Sequence, residues 1–453
     1  MLTFDKYITK LEKEIGKTFK NSKFNIDGWV FDNFARFQLN ENNEIIKLKI
    51  TDAELTHIPE TVFEIESLEE LSLESNNIYI LSEGIKKLSK LRFLNLAYNN
   101  FEVFPNEVLH CENLETLILT ENRIKELPCE IKDFESLLEL NLSRNNFGSL
   151  PECIENYSRL SYLNLSQCGL SSLPENFKDL KSLQELDLSN NFFTEVPDEI
   201  CELPILYRLY LSGNKISKIK DELFNISKLE FLNMGFNSIS EIPASVGNLH
   251  QIRTLVFDYN NIKSLPEEIA LLKTLRKLDL SGNKSEQFYP EIFGIINLQE
   301  LNLIGNKIRE IPDRIGELQL LRVLLLMDNE ISDISDELFN LQELLHLELG
   351  MNYISKIPEK ISKLVHLETL SLSNNNLRVL PVETADLKNL KELDLSNNSL
   401  EFLPVFLLDL NLPINFDADE DGVLLQNNPI SYPPISVIKK GNKAIKKFFR
   451  KNN

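Results

Sequence analysis

Several things are scarce in this chain, and each scarcity excludes something. Fifteen glycines in 453 residues is about half of ordinary usage, roughly 7%. Glycine-rich phosphate cradles and flexible linkers are therefore not expected, and no G-x-x-x-x-G-K-[ST] phrase occurs. Cysteine is limited to Cys111, Cys129, Cys153, Cys168 and Cys201, an odd number without a CxxC pair. A secreted disulfide framework shows even numbers and tight clustering. Basic residues are outnumbered, 48 Lys+Arg against 69 Asp+Glu, for a net charge of −21. A general affinity for DNA or RNA phosphate is excluded by that balance. No apolar run approaches the ~20 residues of a membrane span. The opening stretch MLTFDKYITKLEKEIGKTF is charged every few residues, unlike a conventional signal peptide. The five histidines (His57, His110, His250, His346, His366) are scattered without zinc-ligand spacing. The expectation is a soluble protein of a reducing compartment, the cytoplasm, with no cofactor, nucleic acid or membrane partner.

What the chain does have is period. The phrase L-x-x-L-x-L-x-x-N recurs as LEELSLESN (68–76), LRFLNLAYN (91–99), LETLILTEN (114–122) and LLELNLSRN (137–145), and continues to LKELDLSNN (390–398). Its ninth position advances from 76 to 398 in steps of 23 without an insertion or deletion. With a divergent first copy, IIKLKITDA, ending at Ala53, there are sixteen in-register units across residues 45–404.

The physics of the unit follows from its columns. In L-x-L, two leucines point to one face of a strand. A lone strand cannot bury that face, so neighbouring units must stack into a solenoid. The ninth residue is Asn in fourteen of sixteen units. Its amide offers two donors and an acceptor, and so can bridge backbone groups of successive turns. Cys168 takes that place once and reads as a structural thiol, since a reactive one needs cationic neighbours. Pro stands six residues after the ninth position in twelve units, for example Pro59, Pro105 and Pro151. Lacking an N–H, it rules out a second continuous ladder. Short helical or 3-10 turns are expected there. The unit around Asn283 departs most, with Ser285 at an apolar position and Pro290 one place late, and local irregularity is expected.

The full unit resembles the leucine-rich repeat family, in its 23-residue class, over about four-fifths of the chain. The fold class implied is α/β: a right-handed horseshoe with a parallel sheet on the concave face and short turns on the convex face.

Caps are needed at both ends. Phe4, Ile8, Leu11, Ile15 and Phe19 fall at helical spacing. An aromatic-rich stretch follows (Phe24, Trp29, Phe31, Phe34, Phe37), and ARFQL (35–39) with EIIKLKI (44–50) reads as a hairpin. Residues 1–44 are assigned as the N-terminal cap. Residues 405–453 read as an irregular closing repeat with Asn428 as the next ladder residue. It carries an acidic DADED insert (417–421), expected as a loop, and a basic capping helix bearing Ile438, Ile445, Phe448 and Phe449. GVLLQNNPISYPPISVIKKGNKAIKKFF is similar to the segment that ends the repeats of prokaryotic Roco proteins, but the GTPase that follows there has no counterpart here.

Function is sought on the outward strand positions, the third, fifth, seventh and eighth of each phrase. Most are polar; three sets are not. The first holds Phe93, Tyr98, Ile118 and Tyr162. The second holds Tyr210, Phe231, Phe236, Val256 and Tyr259. The third holds Ile304, Val323, Leu325, Met327 and Met351. Arg208, Asp258, Glu300, Asp328 and Glu348 flank them as a polar rim. Clustered exposed aromatics mark interaction sites and anchor binding energy. His346 and Glu348 share a strand, but a third ligand or a nucleophile is missing. The reading is a non-enzymatic, monomeric protein-binding module. The resemblance implies an intracellular scaffold or adaptor in signal transduction, with a Ras-like small GTPase or a signalling enzyme as partner. Two alternatives stay open: the sensing arm of a Roco-type system, and an exported effector or surface protein that binds a host protein or glycan.

Overall fold

The computed structural model describes residues 3–23, 26, 35–129, 136–416 and 422–452. Phe24, Trp29, Phe31 and Phe34 of the expected cap, and the acidic insert 417–421, lie outside the described residues. The chain divides into two compact units, Met1–Ile216 and Ser217–Asn453.

The first unit opens with helix α1 (Thr3–Ile15) and strands β1 (Phe19–Asn21), β2 (Ala35–Leu39) and β3 (Ile45–Lys49). Leu11 is fully buried, and Glu14 accepts a hydrogen bond from Thr61 Oγ1 at 2.7 Å, fixing the helix to the first turn. The helix stops at Ile15, so Phe19 is a buried strand residue and not the helical one its spacing suggested. β2 and β3 form the expected antiparallel hairpin. From β3 onward the sheet is parallel through β4 (Glu70–Ser72), β5 (Phe93–Asn95), β6 (Thr116–Ile118), β7 (Glu139–Asn141), β8 (Tyr162–Asn164), β9 (Glu185–Asp187) and β10 (Arg208–Tyr210). The register advances one repeat per strand, as in Glu70↔Phe93↔Thr116.

The second unit repeats this parallel plan in β11 (Phe231–Asn233), β12 (Thr254–Val256), β13 (Lys277–Asp279) and β14 (Glu300–Asn302). A two-residue strand, β15 (Glu310–Ile311), pairs on its own with β17 (Asp333–Ile334). The main run continues with β16 (Val323–Leu325), β18 (His346–Glu348), β19 (Thr369–Ser371) and β20 (Glu392–Asp394). It ends with β21 (Ile414–Asn415) and β22 (Val423–Leu424), where β22 pairs with both β20 and β21. Opposite the strands, each unit carries mainly 3-10 turns, most of them entered from a proline such as Pro243, Pro266 or Pro312.

The leucines of L-x-L point inward and vanish from solvent: Leu94, Leu96, Leu117 and Leu119 in the first unit, Leu278, Leu280, Leu301 and Leu303 in the second. Each contributes about 1.5–3 kcal/mol, and that sum, repeated along the stack, offsets the chain entropy. The ladder asparagine does what its chemistry allows. In the second unit Asn260 Oδ1 accepts from Ile239 N–H (2.9 Å), while Nδ2 donates to the carbonyls of Met234, Phe257 and Asp258. At Cys168 the thiol donates weakly to Leu142 O (3.3 Å). Burial pushes its pKa up to about 11, which fits an inert structural thiol.

The unit around Asn283 keeps its backbone period, because its turn, Pro290–Gly294, begins 23 residues after Glu267–Leu271. The departure is absorbed by side chains. Ser285 Oγ donates to Gln287 O (2.8 Å), and the buried Tyr289 donates its hydroxyl to Ile262 O (2.9 Å). At the C-terminal end Asn428 resumes the ladder, taking Leu400 N–H at 3.0 Å. The closing helix is broken at Gly441 into α3 (Ile435–Ile438) and α4 (Asn442–Asn452), the short helix Asp198–Cys201 of the first unit being α2. Ile438 and Ile445 are buried, and Tyr432 meets Phe448 and Phe449 edge-on at 5.3 and 5.7 Å.

Candidate binding face of the parallel sheet

The residues at phrase positions three and five are strand residues beside buried leucines, so alternation turns them outward. In the first unit Phe93, Tyr98, Ile118, Tyr162 and Tyr210 are all half-buried on this face, and Arg208 is exposed. Arg208 Nη1 lies 3.8 Å from Glu185 Oε2 on the neighbouring strand. Burial pushes the Glu185 carboxyl above its ordinary range, against the pull of Arg208. Burial likewise raises the Tyr162 hydroxyl, which accepts a hydrogen bond from Asn164 Nδ2.

In the second unit Phe231 and Val256 are half-buried, whereas Phe236 and Tyr259 are 56% and 55% exposed. These two rings stack, with centroids 4.4 Å apart and planes 18° from parallel. Such a pair gains about 0.5–1.5 kcal/mol beyond its buried area. Asp258 is placed beside it: a Cβ on Gly235 would fall 1.8 Å from Asp258 Oδ1, so the carboxylate lies directly on that glycine. Burial, with repulsion from Asp279 second, pushes Asp258 up to about 6. The folded state therefore holds this proton more tightly than an unfolded chain, and its ionisation removes stability as the pH rises from about 4 through 6. The third set is also here. Ile304, Val323, Leu325 and Met327 are half-buried and Met351 is exposed, on or just beyond the successive strands β14, β16 and β18. Of the rim, Asp328 is exposed, and Glu300 and Glu348 are half-buried. His346 Nδ1 is hydrogen-bonded to Thr369 Oγ1 at 2.7 Å. Glu348 is raised by burial and by Glu392 and Asp394.

The sequence reading missed two features. The eighth residue of every phrase is left-handed, from Asp52 (φ 51°) and Ser75 (φ 56°) to Asn397 and Asn427, and Phe236 (φ 52°) and Tyr259 (φ 48°) share that conformation. Bulky residues are uncommon there. The recurrence of Gly, Asn, Asp and Ser in this column (Gly213, Gly282, Gly305, Asn190, Asn374) was the available signal. The second is a disulfide between Cys129 and Cys153, 24 residues apart with Cα atoms at 5.4 Å. One repeat of separation brings the two turns together, a pairing that no CxxC test detects.

Family models for leucine-rich repeats match residues 44–101, 112–170, 227–284 and 319–377, with a two-copy repeat model at 365–405, a single-repeat model at 297–318 and a repeat-region model at 151–235. The chain belongs to the leucine-rich repeat family. Its fold is the leucine-rich repeat solenoid of strands and 3-10 turns. A leucine-rich repeat protein of Leptospira interrogans is 35% identical over 87% of this chain and 93% of its own, with a TM-score of 0.69. The plant peptide hormone receptor RGFR1, solved in complex with RGF2, is 26% identical over 86% of this chain and 71% of its own, with a TM-score of 0.58. A TDR receptor is 26% identical over 84% and 68%, with a TM-score of 0.64. No curated protein matches the chain significantly. The matching models describe leucine-rich repeats, and none of them describes a catalytic family. Among the described residues, no group of three His, Cys, Asp or Glu is arranged to hold a metal ion.

Proposed function

We propose that this leucine-rich repeat chain is a non-enzymatic recognition module that binds a protein partner on the outward face of its parallel sheet. The observation that carries the reading is the exposed, stacked Phe236–Tyr259 pair. Two large rings, more than half exposed and set on left-handed backbone, add little to folding beyond their own stack. A sheet holds them at fixed spacing, so little conformational entropy is lost on association. The similar plant receptor, solved with RGF2, supports the reading by analogy. Replacing Phe236 and Tyr259 together by Ala is expected to weaken partner binding by at least about 2 kcal/mol while leaving the melting curve nearly unchanged. Affinity purification from the native cell, with this double variant as control, checks it. Equal capture by both proteins would reject the reading.

The finer reading follows the sequence resemblance: a cytoplasmic, monomeric scaffold or adaptor in signal transduction, with a Ras-like small GTPase or a signalling enzyme as its partner. A second reading is favoured by one observation, the Cys129–Cys153 disulfide. Disulfides persist in oxidising compartments, which suits an exported or surface-held binder. Alkylation of the protein taken from its native cell, unfolded in denaturant without reductant so that the buried Cys111 and Cys168 are reached, separates the two. Three modified thiols place the chain in an oxidising setting, and five place it in a reducing one.

A further inference from the structure

Resting on the protein-binding reading, we propose that the sheet face of the second unit takes an extended basic segment of its partner, with one arginine seated on the Phe236–Tyr259 pair against Asp258. The exposed aromatic and apolar surface marks the place, and its charge selects the occupant.

The two units differ in how their outward carboxylates are answered. At positions three, five and seven of the first unit stand five carboxylates, and among the described residues three of them meet cations on the same face: Lys47–Glu70 at 2.8 Å, Lys49–Glu74 at 3.8 Å and Arg208–Glu185 at 3.8 Å, while Glu139 and Asp187 accept from Thr116 and Ser189. At the same positions of the second unit stand Asp258, Asp279, Glu300, Glu348, Glu392 and Asp394. Their single cation is Lys277, which is 2.6 Å from Glu300. Among the described residues, no Lys or Arg forms an ion pair with the other five. Their hydrogen bonds come from neutral donors. Asp279 accepts from Ser281 Oγ (2.7 Å) and Asn302 Nδ2 (2.8 Å), and Asp394 accepts from Ser396 N–H (2.9 Å). Neutral donors hold carboxylates in place without cancelling their charge. A half-buried row of like charges is destabilising alone and favourable opposite a cation, which is electrostatic complementarity waiting for a partner.

Arginine fits the aromatic end better than lysine does. Its planar guanidinium stacks on an aromatic face and donates in-plane to a carboxylate at the same time. Here the stacked rings and the Asp258 carboxylate adjoin, because Asp258 lies on Gly235, the residue before Phe236. The raised proton affinity of Asp258, caused by burial and by Asp279, agrees with a carboxylate lacking its counter-charge. An extended segment suits the rest. Adjacent strands repeat at about 4.8 Å, so Asp258, Asp279 and Glu300, then Val323 and Leu325, then Glu348 follow one another across the face, a row that one peptide lying across the strands can span. Ile304, Val323, Leu325 and Met327 offer apolar seats between the acidic stretches.

The test uses the full chain and a ten-residue peptide alternating Arg and Leu, with Lys and Glu counterparts, in calorimetric titrations at low and physiological salt. The Arg peptide is expected to bind at least about 3-fold more tightly than the Lys peptide, and the Glu peptide not to bind. Asp258→Asn should weaken the Arg peptide at least about 5-fold. Glu359→Gln, the same charge change on a turn, should shift it less than about 2-fold. Equal effects of the two substitutions, or equal binding of Arg and Lys peptides, would reduce the face to general acidity and overturn the proposal. The native partner separates this from the parent reading. Capture that is abolished by Phe236→Ala with Tyr259→Ala, yet untouched by Asp258→Asn and by excess Arg peptide, leaves the binding face standing and removes its basic occupant. Thermal melting of Asp258→Asn at or above the parent temperature shows that any loss is not unfolding.

Discussion

Asn283→Ala is expected to lower the stability of the second unit by about 3–5 kcal/mol, far more than the loss of an exposed polar side chain. Asn283 is 1% exposed, so water cannot replace what it holds. Its Oδ1 takes Ile262 N–H at 2.9 Å, and its Nδ2 serves the carbonyls of Phe257 (2.9 Å), Leu280 (3.0 Å) and Ser281 (3.2 Å). Alanine leaves four backbone groups short in a dry site, each at about 1–3 kcal/mol when wholly unsatisfied. The carbonyl oxygens have other lone pairs in use, which keeps the sum below the maximum. Asn283→Asp should be as damaging, because it keeps the acceptor, loses the donors and buries a charge. Asn376→Ala, at an exposed side chain, is the control and should change stability by under about 0.5 kcal/mol. Urea unfolding followed by circular dichroism measures both. Hydrogen exchange should show lost protection concentrated around residues 257–306, since stacked repeats couple to nearest neighbours. A loss of under about 1 kcal/mol would mean that the amide ladder is decoration on a leucine core.

That ladder was legible because its chemistry repeats. A buried side chain that must both donate and accept, at constant spacing, has few alternatives to Asn, and the leucine columns fix the two faces of each strand by simple alternation. The outward placement of Tyr210, Phe231, Val256 and Leu325 followed from the same alternation. The αL column is harder to see. It shows as Gly, Asn or Asp in many copies, and is then masked by the aromatic and Met residues that occupy the same backbone at Phe236, Tyr259 and Met351. The ring stack was out of reach for a different reason. Outward position gives a neighbourhood, but contact between rings depends on rotamers and on what the next repeat leaves empty. Pro290 shows the converse. One displaced proline read as a local irregularity, but a turn tolerates Pro at its first residue as well as before it, so the backbone kept its period. Cys129 and Cys153 escaped because a solenoid makes neighbours of residues one repeat apart, which local spacing motifs do not sample.

The second large effect should come from Gly282→Val, and it should fall on binding as well as on stability. A Cβ built on Gly282 lies 2.8, 3.0 and 3.1 Å from Cδ1, Cγ and Cε1 of Tyr259, so the glycine is the floor on which that ring rests. Tyr259 in turn supports Phe236 at 4.4 Å. Valine must push the ring away, and the stack comes apart from beneath. The backbone adds its own penalty, since φ is +67° at this residue and a left-handed L-residue costs roughly 1–2 kcal/mol, more when β-branched. Gly305→Val separates these two contributions. Gly305 has the same φ of +67°, but its Cβ would meet nothing nearer than 3.7 Å. Both variants should therefore melt a few degrees early and by similar amounts. Only Gly282→Val should weaken the partner, by at least about tenfold, or 1.4 kcal/mol, and only it should alter the near-ultraviolet dichroism of the stacked rings. If Gly305→Val proved equally harmful to binding, backbone strain would be the common cause and the aromatic pair would lose its claim to the site. If neither variant affected binding, the partner would be held elsewhere on the solenoid.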